Sequence, residues 1–228
     1  MNIIVTGASK GIGKSLVKFF SNNKQHKVLA VSRDISALKE LQNTCTYPVQ
    51  ILSFDITKCE DDNSLLEKVK ALGSIDVIIN NAGLLINKPL TSLNGHEFDK
   101  LFNVNVKAVF LLTKQLLPYL RKGSHIVNIG SMGGYQGSSK YAGLSLYSAS
   151  KGALAILTEC MAEELKPQVI SANCLALGAV QTEMLSEAFP DYKAPLSPDE
   201  IASFIADFAL KGHRFFNGKI VPVSVSSP

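Results

Sequence analysis

The 228-residue sequence contains no tryptophan and only four cysteines. Cys45, Cys59, Cys160 and Cys174 are widely scattered, with neither metal-site spacing nor a disulfide framework, so free and mostly buried thiols are the expectation. His26, His96, His125 and His213 also lack metal-site spacing; no metal is expected, and these side chains should lie at the surface or at strand ends. No apolar run is long enough to span a bilayer. The start, "MNIIVTGAS", offers three apolar residues in place of the basic region, long apolar core and cleavage site of a secretory signal. These absences point to a cytoplasmic protein without a membrane partner. Charge is also sparse. The net value is +4, from 23 basic and 19 acidic residues, with no basic cluster. That weighs against a nucleic-acid partner and leaves an anionic small ligand open.

What is present is alternation. Seven short Val- and Ile-rich runs occur at 2–7, 27–32, 49–54, 75–80, 125–130, 169–175 and 219–223. Several are apolar throughout, as expected of parallel strands covered on both faces. Helical patterns lie between them, near 12–23, 35–44, 60–72, 96–120, 146–165 and 198–211. The last opens on "SPDE", with Ser197 or Asp199 as its cap and Pro198 in the first turn. Strand–helix alternation to the end predicts one α/β domain over 1–228: a single doubly wound parallel sheet of about seven strands, with helices on both faces. The longest irregular segments, 81–95, 131–145 and 178–197, all follow strands and should meet at the carboxyl edge, where such sheets bind ligands.

Two stretches carry chemistry. "TGASKGIG" (6–13) joins the first strand to the first helix, and its glycines permit a tight turn with close backbone approach to a phosphate. Without a ligand it would be no more than a tight βα turn. "LYSASKGAL" (146–154) sets Tyr147 one helical turn before Lys151. Either the two merely pack, or the cation lowers the phenol's pKa and makes it a usable proton donor.

Seven segments, "TGASKGIG", "FDIT" (54–57), "NNAG" (80–83), "NVN" (103–105), "IVNIGS" (126–131), "YSASK" (147–151) and "LGAVQTEM" (177–184), occur in the order found in the short-chain dehydrogenase/reductase family, which the whole chain resembles. The resemblance implies a Rossmann-like domain that moves hydride between a nicotinamide cofactor and a carbonyl or alcohol substrate. It implies a catalytic set of Asn105, Ser131, Tyr147 and Lys151. Tyr147 passes the proton, Ser131 steadies the substrate oxygen, and Asn105 distorts a long helix and holds a water leading to Lys151. Cofactor contacts follow at Gly7, Ser9, Lys10, Gly11, Ile12 and Gly13, at Asp55 (the adenine), at Asn80, Ala82 and Gly83, and at Thr182 (the carboxamide), with Tyr147 and Lys151 on the ribose side. Relatives form homodimers or homotetramers through the helices at 96–120 and 146–165.

At the end of the second strand, relatives that prefer NAD tend to carry an acid for the ribose 2′-hydroxyl. This chain has Ser32 and Arg33 there, with Lys10 nearby, which favours the 2′-phosphate of NADP, while Asp34 keeps NAD possible. The chain also departs from the family. Leu177 stands where proline is usual, which suggests a less rigid turn, and the interval from Ser131 to Tyr147 is longer, with a rival tyrosine at 141. The end, "VPVSVSSP", lacks the usual Asp-Gly-Gly. A non-catalytic dinucleotide sensor on the same fold, or another nucleotide-dependent enzyme such as a methyltransferase, remains an alternative.

Overall fold

In a computed structural model, residues 1–225 are described. The final three residues of "VPVSVSSP" lie outside that range. Strands β1 (Asn2–Thr6), β2 (Lys27–Ser32), β3 (Gln50–Ser53), β4 (Ile75–Asn80), β5 (Leu120–Ile129), β6 (Ser171–Leu177) and β7 (Ile220–Val223) build one parallel sheet in the order β3-β2-β1-β4-β5-β6-β7. This is the expected doubly wound architecture.

The apolar runs are explained by burial on both sides. Ile3, Val5, Val77 and Ile79 face a core shared with α1 (Gly11–Ser21), α2 (Ile35–Asn43) and α8 (Pro198–Lys211). The intervening Ile4 and Ile78 face α3 (Ser64–Leu72) and α5 (Ala108–Leu116) on the opposite side. Alternate side chains of a strand point to opposite faces, so a doubly covered strand needs apolar residues at every position. Ser197 caps α8 in a capping box with Glu200, which settles the cap between the two candidates; Asp199 instead accepts a hydrogen bond from Ser15 at 2.5 Å.

The expected helix over 96–120 is three pieces. Asn94 caps α4 (Gly95–Phe102), a wide π turn spans Asn103–Lys107, and α5 ends at Leu116. Pro118 ends it, having no amide hydrogen to donate and no room for the preceding turn. The chain then enters β5 at Leu120, opposite Ile75, five residues before the strand expected from the sequence.

His125 also departs from expectation, being completely buried in β5. Its Nδ1 lies 3.0 Å from the Ala209 carbonyl, an acceptor, so Nδ1 carries the hydrogen. Nε2 then accepts from Asn173 Nδ2 at 2.9 Å; the same nitrogen also donates to Phe216 O, and Asn173 Oδ1 accepts from Lys219 N. Burial pushes the His125 pKa down to about 4, and His213 against its ring acts the same way. Because the folded pKa lies below the ordinary 6.5, the unfolded chain takes up the proton first as pH falls. Stability is therefore full above about pH 6.5 and declines toward pH 4, by roughly 3 kcal/mol for this one group. Urea unfolding followed from pH 7 to pH 4 should show this slope, and His125→Gln should flatten it; equal slopes in both proteins would contradict the assignment.

Candidate active site

Strand order reverses between β1 and β4, and the segments leaving these strands diverge to opposite sides of the sheet. A cavity of about 630 Å³ opens there, bounded by the glycine turn after β1, the ends of β2 and β3, and the segments following β4, β5 and β6. All three long irregular segments reach it, as expected.

The glycine turn is shaped by contact with the segment after β4. Gly7 adopts φ +66°, a conformation that side chains disfavour. A side-chain carbon on Gly13 would lie 2.2 Å from the Gly7 carbonyl oxygen and 2.6 Å from Asn81 Nδ2. Asn81 Nδ2 donates to the carbonyls of Thr6 (3.0 Å) and Gly7 (3.1 Å), while Thr6 Oγ1 accepts from the amides of Asn81 and Ala82, both at 3.1 Å. Lys10 at the N-cap of α1 makes no side-chain cap, so the first-turn amides of this helix carry no side-chain acceptor from it.

Of the residues expected to hold a cofactor, Gly7, Ser9, Lys10, Gly11, Ile12, Arg33, Asp55, Ala82, Gly83, Tyr147, Lys151 and Thr182 line this cavity. Gly13 lies behind the turn and allows the close approach just described. Asn80 does not reach the cavity. As the last residue of β4 it points into the sheet, where Nδ2 donates to Asn128 Oδ1 at 2.8 Å, and Asn128 in turn donates to Thr158. The next residue, Asn81, lies at the cavity instead, because one step along the chain reverses the side chain's direction. Asn81 is thus a cavity residue outside the expected set, held from beneath by the buried Thr6, and the doubled asparagine of "NNAG" is the signal that pointed to it.

At the end of the cavity bounded by β2 and β3, Ser32 Oγ donates to Ser9 Oγ at 2.8 Å, beside Arg33. Asp34 turns away to cap α2, accepting from the Ala37 amide at 3.0 Å. Asp55 stands in two structural positions at once. It lines the cavity and also caps the turn Ile56–Lys58 through Thr57 N (3.0 Å) and Oγ1 (2.8 Å). Burial pushes its pKa up, but these hydrogen bonds and the Arg33 and Lys58 charges outweigh it and hold the carboxyl below its ordinary value. Lys10 is 3.6 Å from Glu187, with both groups largely in water.

Ser131, Tyr147 and Lys151 are brought together from the end of β5 and from α6 (Ser145–Leu165). A side-chain carbon on Gly134 would collide with the α6 backbone, 2.5 Å from both Lys151 C and Gly152 N, so only glycine lets the turn after β5 lie directly on the helix. That contact brings the Ser131 hydroxyl up to the Tyr147 phenol, close enough to favour its ionised form, while Ser131 Oγ accepts from the Gly133 amide at 3.1 Å. Lys151 is buried, and its ammonium donates to the Ile129 carbonyl at 2.8 Å. Burial pushes its pKa down to about 8, with the neighbouring Cys174 opposing. The Tyr147 pKa is raised, which reverses the expected direction: burial dominates and Ser131 opposes it. Tyr141, the rival, lies outside α6 and has no partner one turn on.

Asn105 sits in the π turn, fully buried, and does not line the cavity. Its Oδ1 accepts from Leu84 N (2.8 Å), and its Nδ2 donates to Leu84 O (2.9 Å) and Ser150 Oγ (2.9 Å). It joins the segment after β4 to α6. A side-chain carbon on Gly83 would be 3.4 Å from both Asn105 Oδ1 and Lys151 Nζ, so the two groups flank the same backbone. A local π turn is a frequent mark of functional helices.

The turn around Leu177 is well tied despite the missing proline. Gly178 N donates to Val223 O (2.8 Å), Gln181 N to Leu196 O (2.8 Å), and Ala194 N to Gln181 Oε1 (2.7 Å). Thr182 then caps α7 (Glu183–Ala188) next to Gly11. Among the described residues no cluster of His, Cys, Asp or Glu could hold a metal ion, and no helix is long and apolar enough to cross a membrane.

Comparison with known proteins agrees with this geometry. The chain is 30% identical over 241 residues to a 3-oxoacyl-[acyl-carrier-protein] reductase FabG of Thermotoga maritima, covering 96% of this chain and 94% of that one. It is 32% identical over 184 residues to an uncharacterised oxidoreductase of Staphylococcus epidermidis, covering 79% and 78%. Among solved structures, a 3-ketoacyl-(acyl-carrier-protein) reductase from Brucella melitensis complexed with NADH superposes with a TM-score of 0.87 at 25% identity, covering 98% of this chain and 96% of that one. A short chain dehydrogenase from Burkholderia cenocepacia in complex with NADP gives 0.85 at 25% identity, covering 97% and 95%. The short chain dehydrogenase profile matches residues 1–193, and the chain belongs to that family.

Proposed function

We propose that this chain is an oxidoreductase that uses a nicotinamide cofactor, preferably NADPH, to reduce a carbonyl compound or oxidise the corresponding alcohol. The observation that carries this reading is one cavity holding both the crowded glycine turn and the Ser131–Tyr147–Lys151 group. The turn fits a dinucleotide: side chains are sterically excluded from its core, and the first-turn amides of α1 are oriented for phosphate. Solved relatives with NADH and with NADP support the same cofactor class.

When bound, the nicotinamide ring supplies or accepts the hydride. The chain's own residues handle the proton and the oxygen. Ser131 hydrogen-bonds the substrate oxygen and stabilises charge developing on it. Tyr147 gives that oxygen its proton; with its pKa raised, the phenol is fully protonated at neutral pH, which suits reduction. Lys151, with a pKa of about 8, remains mainly cationic at pH 7 and favours the tyrosinate left behind. Asn105 holds the segment after β4 against α6, which keeps the cavity walls together. Exposed apolar side chains at Phe98, Phe110 and Ile156 support assembly into dimers or tetramers through α4, α5 and α6.

NADPH oxidation in the presence of a panel of ketones and aldehydes tests the activity. NADPH binding without turnover of any of them would favour a sensor. The cofactor preference rests on Asp34 being used as a cap, which leaves Ser9, Ser32 and Arg33 at the ribose end. A lost charge-assisted phosphate contact costs about 1.5–3 kcal/mol. Arg33→Ala should thus raise the KM for NADPH roughly ten- to hundredfold and leave NADH nearly unchanged. Equal use of both cofactors by the unmodified protein would contradict the preference.

A further inference from the structure

Apart from Lys151, the charged lining residues of the cavity are Lys10, Arg33, Asp55 and Glu183, from the glycine turn, the ends of β2 and β3 and the residue following Thr182, and Lys100 of α4; these segments make one part of the lining. The other part is built by residues 84–85, 132–144 and 184–192, and none of the cavity-lining side chains from these segments is charged. Leu84, Leu85, Met132, Leu144, Met184 and Leu185 supply aliphatic surface, while Tyr141, Phe189 and Tyr192 supply aromatic rings. Two tyrosine hydroxyls are the only polar side-chain groups among them.

Tyr141 is 59% exposed and Tyr192 48% exposed, although both line the cavity. Such rings gain most from a ligand that covers them, and rings brought from two separate segments favour a flat or cyclic partner. The walls are also fastened in advance. Lys140 Nζ staples the Tyr141 loop through Tyr135 O (2.7 Å), Ser138 O (3.0 Å) and Ser138 Oγ (2.6 Å). Lys88 N donates to Gly143 O at 3.0 Å, and Asn87 Nδ2 donates to Ala188 O at 2.8 Å, one residue before Phe189. One short strap therefore holds both aromatic segments, and little ordering remains to be done on binding.

We infer that the substrate is an uncharged carbonyl compound bearing an aromatic or alicyclic ring, seated against Tyr141, Phe189 and Tyr192. Against these uncharged walls a 2-oxo acid or a sugar phosphate would set its anion on apolar surface, and a polyol would leave hydroxyls unpaired. The inference rests on the oxidoreductase reading for its chemistry. The carbonyl carbon gains hydride from the reduced nicotinamide cofactor as the C=O π bond breaks, and the oxygen gains the Tyr147 proton, leaving an alcohol and the oxidised cofactor.

Acetophenone and phenylglyoxylate differ at the carbonyl by a methyl group against a carboxylate. With NADPH, acetophenone should show a kcat/KM at least about 100-fold higher. Tyr141→Ala and Tyr192→Ala should each raise its KM about tenfold. Both positions are exposed, so unchanged melting serves as the folding control. Comparable or better turnover of phenylglyoxylate, a linear 3-oxoacyl thioester outperforming the aryl ketone, or no change in either variant would overturn the inference while leaving the oxidoreductase reading intact. If no carbonyl is reduced, that reading fails by itself. Calorimetric binding to the NADPH-loaded protein then decides the inference: acetophenone binding in preference to phenylglyoxylate supports it, and the reverse overturns it.

Discussion

Tyr147→Phe is expected to lower kcat by a factor of roughly 10²–10⁴ while leaving the fold and NADPH binding in place, the usual worth of a positioned acid–base group. The substitution keeps the ring, which is half-buried in α6 beside the turn after β5, and removes only the hydroxyl that meets Ser131. Tyr141 lines the cavity from the preceding loop, without a lysine one turn on and without the Ser131 contact. Tyr141→Phe should accordingly hold kcat within a few-fold. Single-turnover reduction of one carbonyl substrate with both variants makes the comparison. Normal turnover by Tyr147→Phe together with loss in Tyr141→Phe would move the chemistry to the loop.

Gly13→Ala should abolish cofactor binding at concentrations that saturate the unmodified protein, and should lower stability as well. The added carbon would lie 2.2 Å from the Gly7 carbonyl oxygen and 2.6 Å from Asn81 Nδ2. The first contact is backbone on backbone, so rotating a side chain away does not relieve it. Either α1 shifts along its axis or the glycine turn opens. Both movements break the hydrogen bonds by which Asn81 ties the carbonyls of Thr6 and Gly7. Overpacking of this kind typically costs about 1–3 kcal/mol. The loss of affinity should be larger, because the phosphate-binding amides and the loop on which they rest move together. Titration calorimetry with NADPH and thermal melting report the two effects separately. Affinity within a few-fold of the unmodified protein would show that the turn does not cradle the cofactor.

The distance between expectation and structure varies with the range of the interactions involved. The start of α8 at "SPDE" was readable because every atom a cap needs is local, while the choice of Ser197 over Asp199 came with the fold. Pro118 carried an equally local signal for the end of α5, and the unbroken apolar pattern through 96–120 concealed it. The break at Asn103–Lys107 was implied only by the resemblance carried by "NVN", not by the local apolar pattern. It exists because Asn105 bonds both backbone atoms of Leu84, 21 residues away. Asn80 and Asn81 are adjacent and chemically identical, and only the pleat at the end of β4 decides which one enters the sheet and which meets the cavity.

The alternation of apolar strands with amphipathic helices, the glycine turn after β1 and the one-turn spacing of Tyr147 and Lys151 came from the sequence by itself. Each follows from backbone sterics and side-chain periodicity within a few residues. Tertiary structure decided the electrostatics. The spacing alone suggested a lysine lowering the pKa of a phenol. In the fold, burial raises Tyr147, lowers Lys151 to about 8 and lowers His125 to about 4. It likewise decided that Asp34 caps α2 instead of facing the cavity. Desolvation depends on every atom that packs around a group, and those atoms come from strands and helices far apart in the chain.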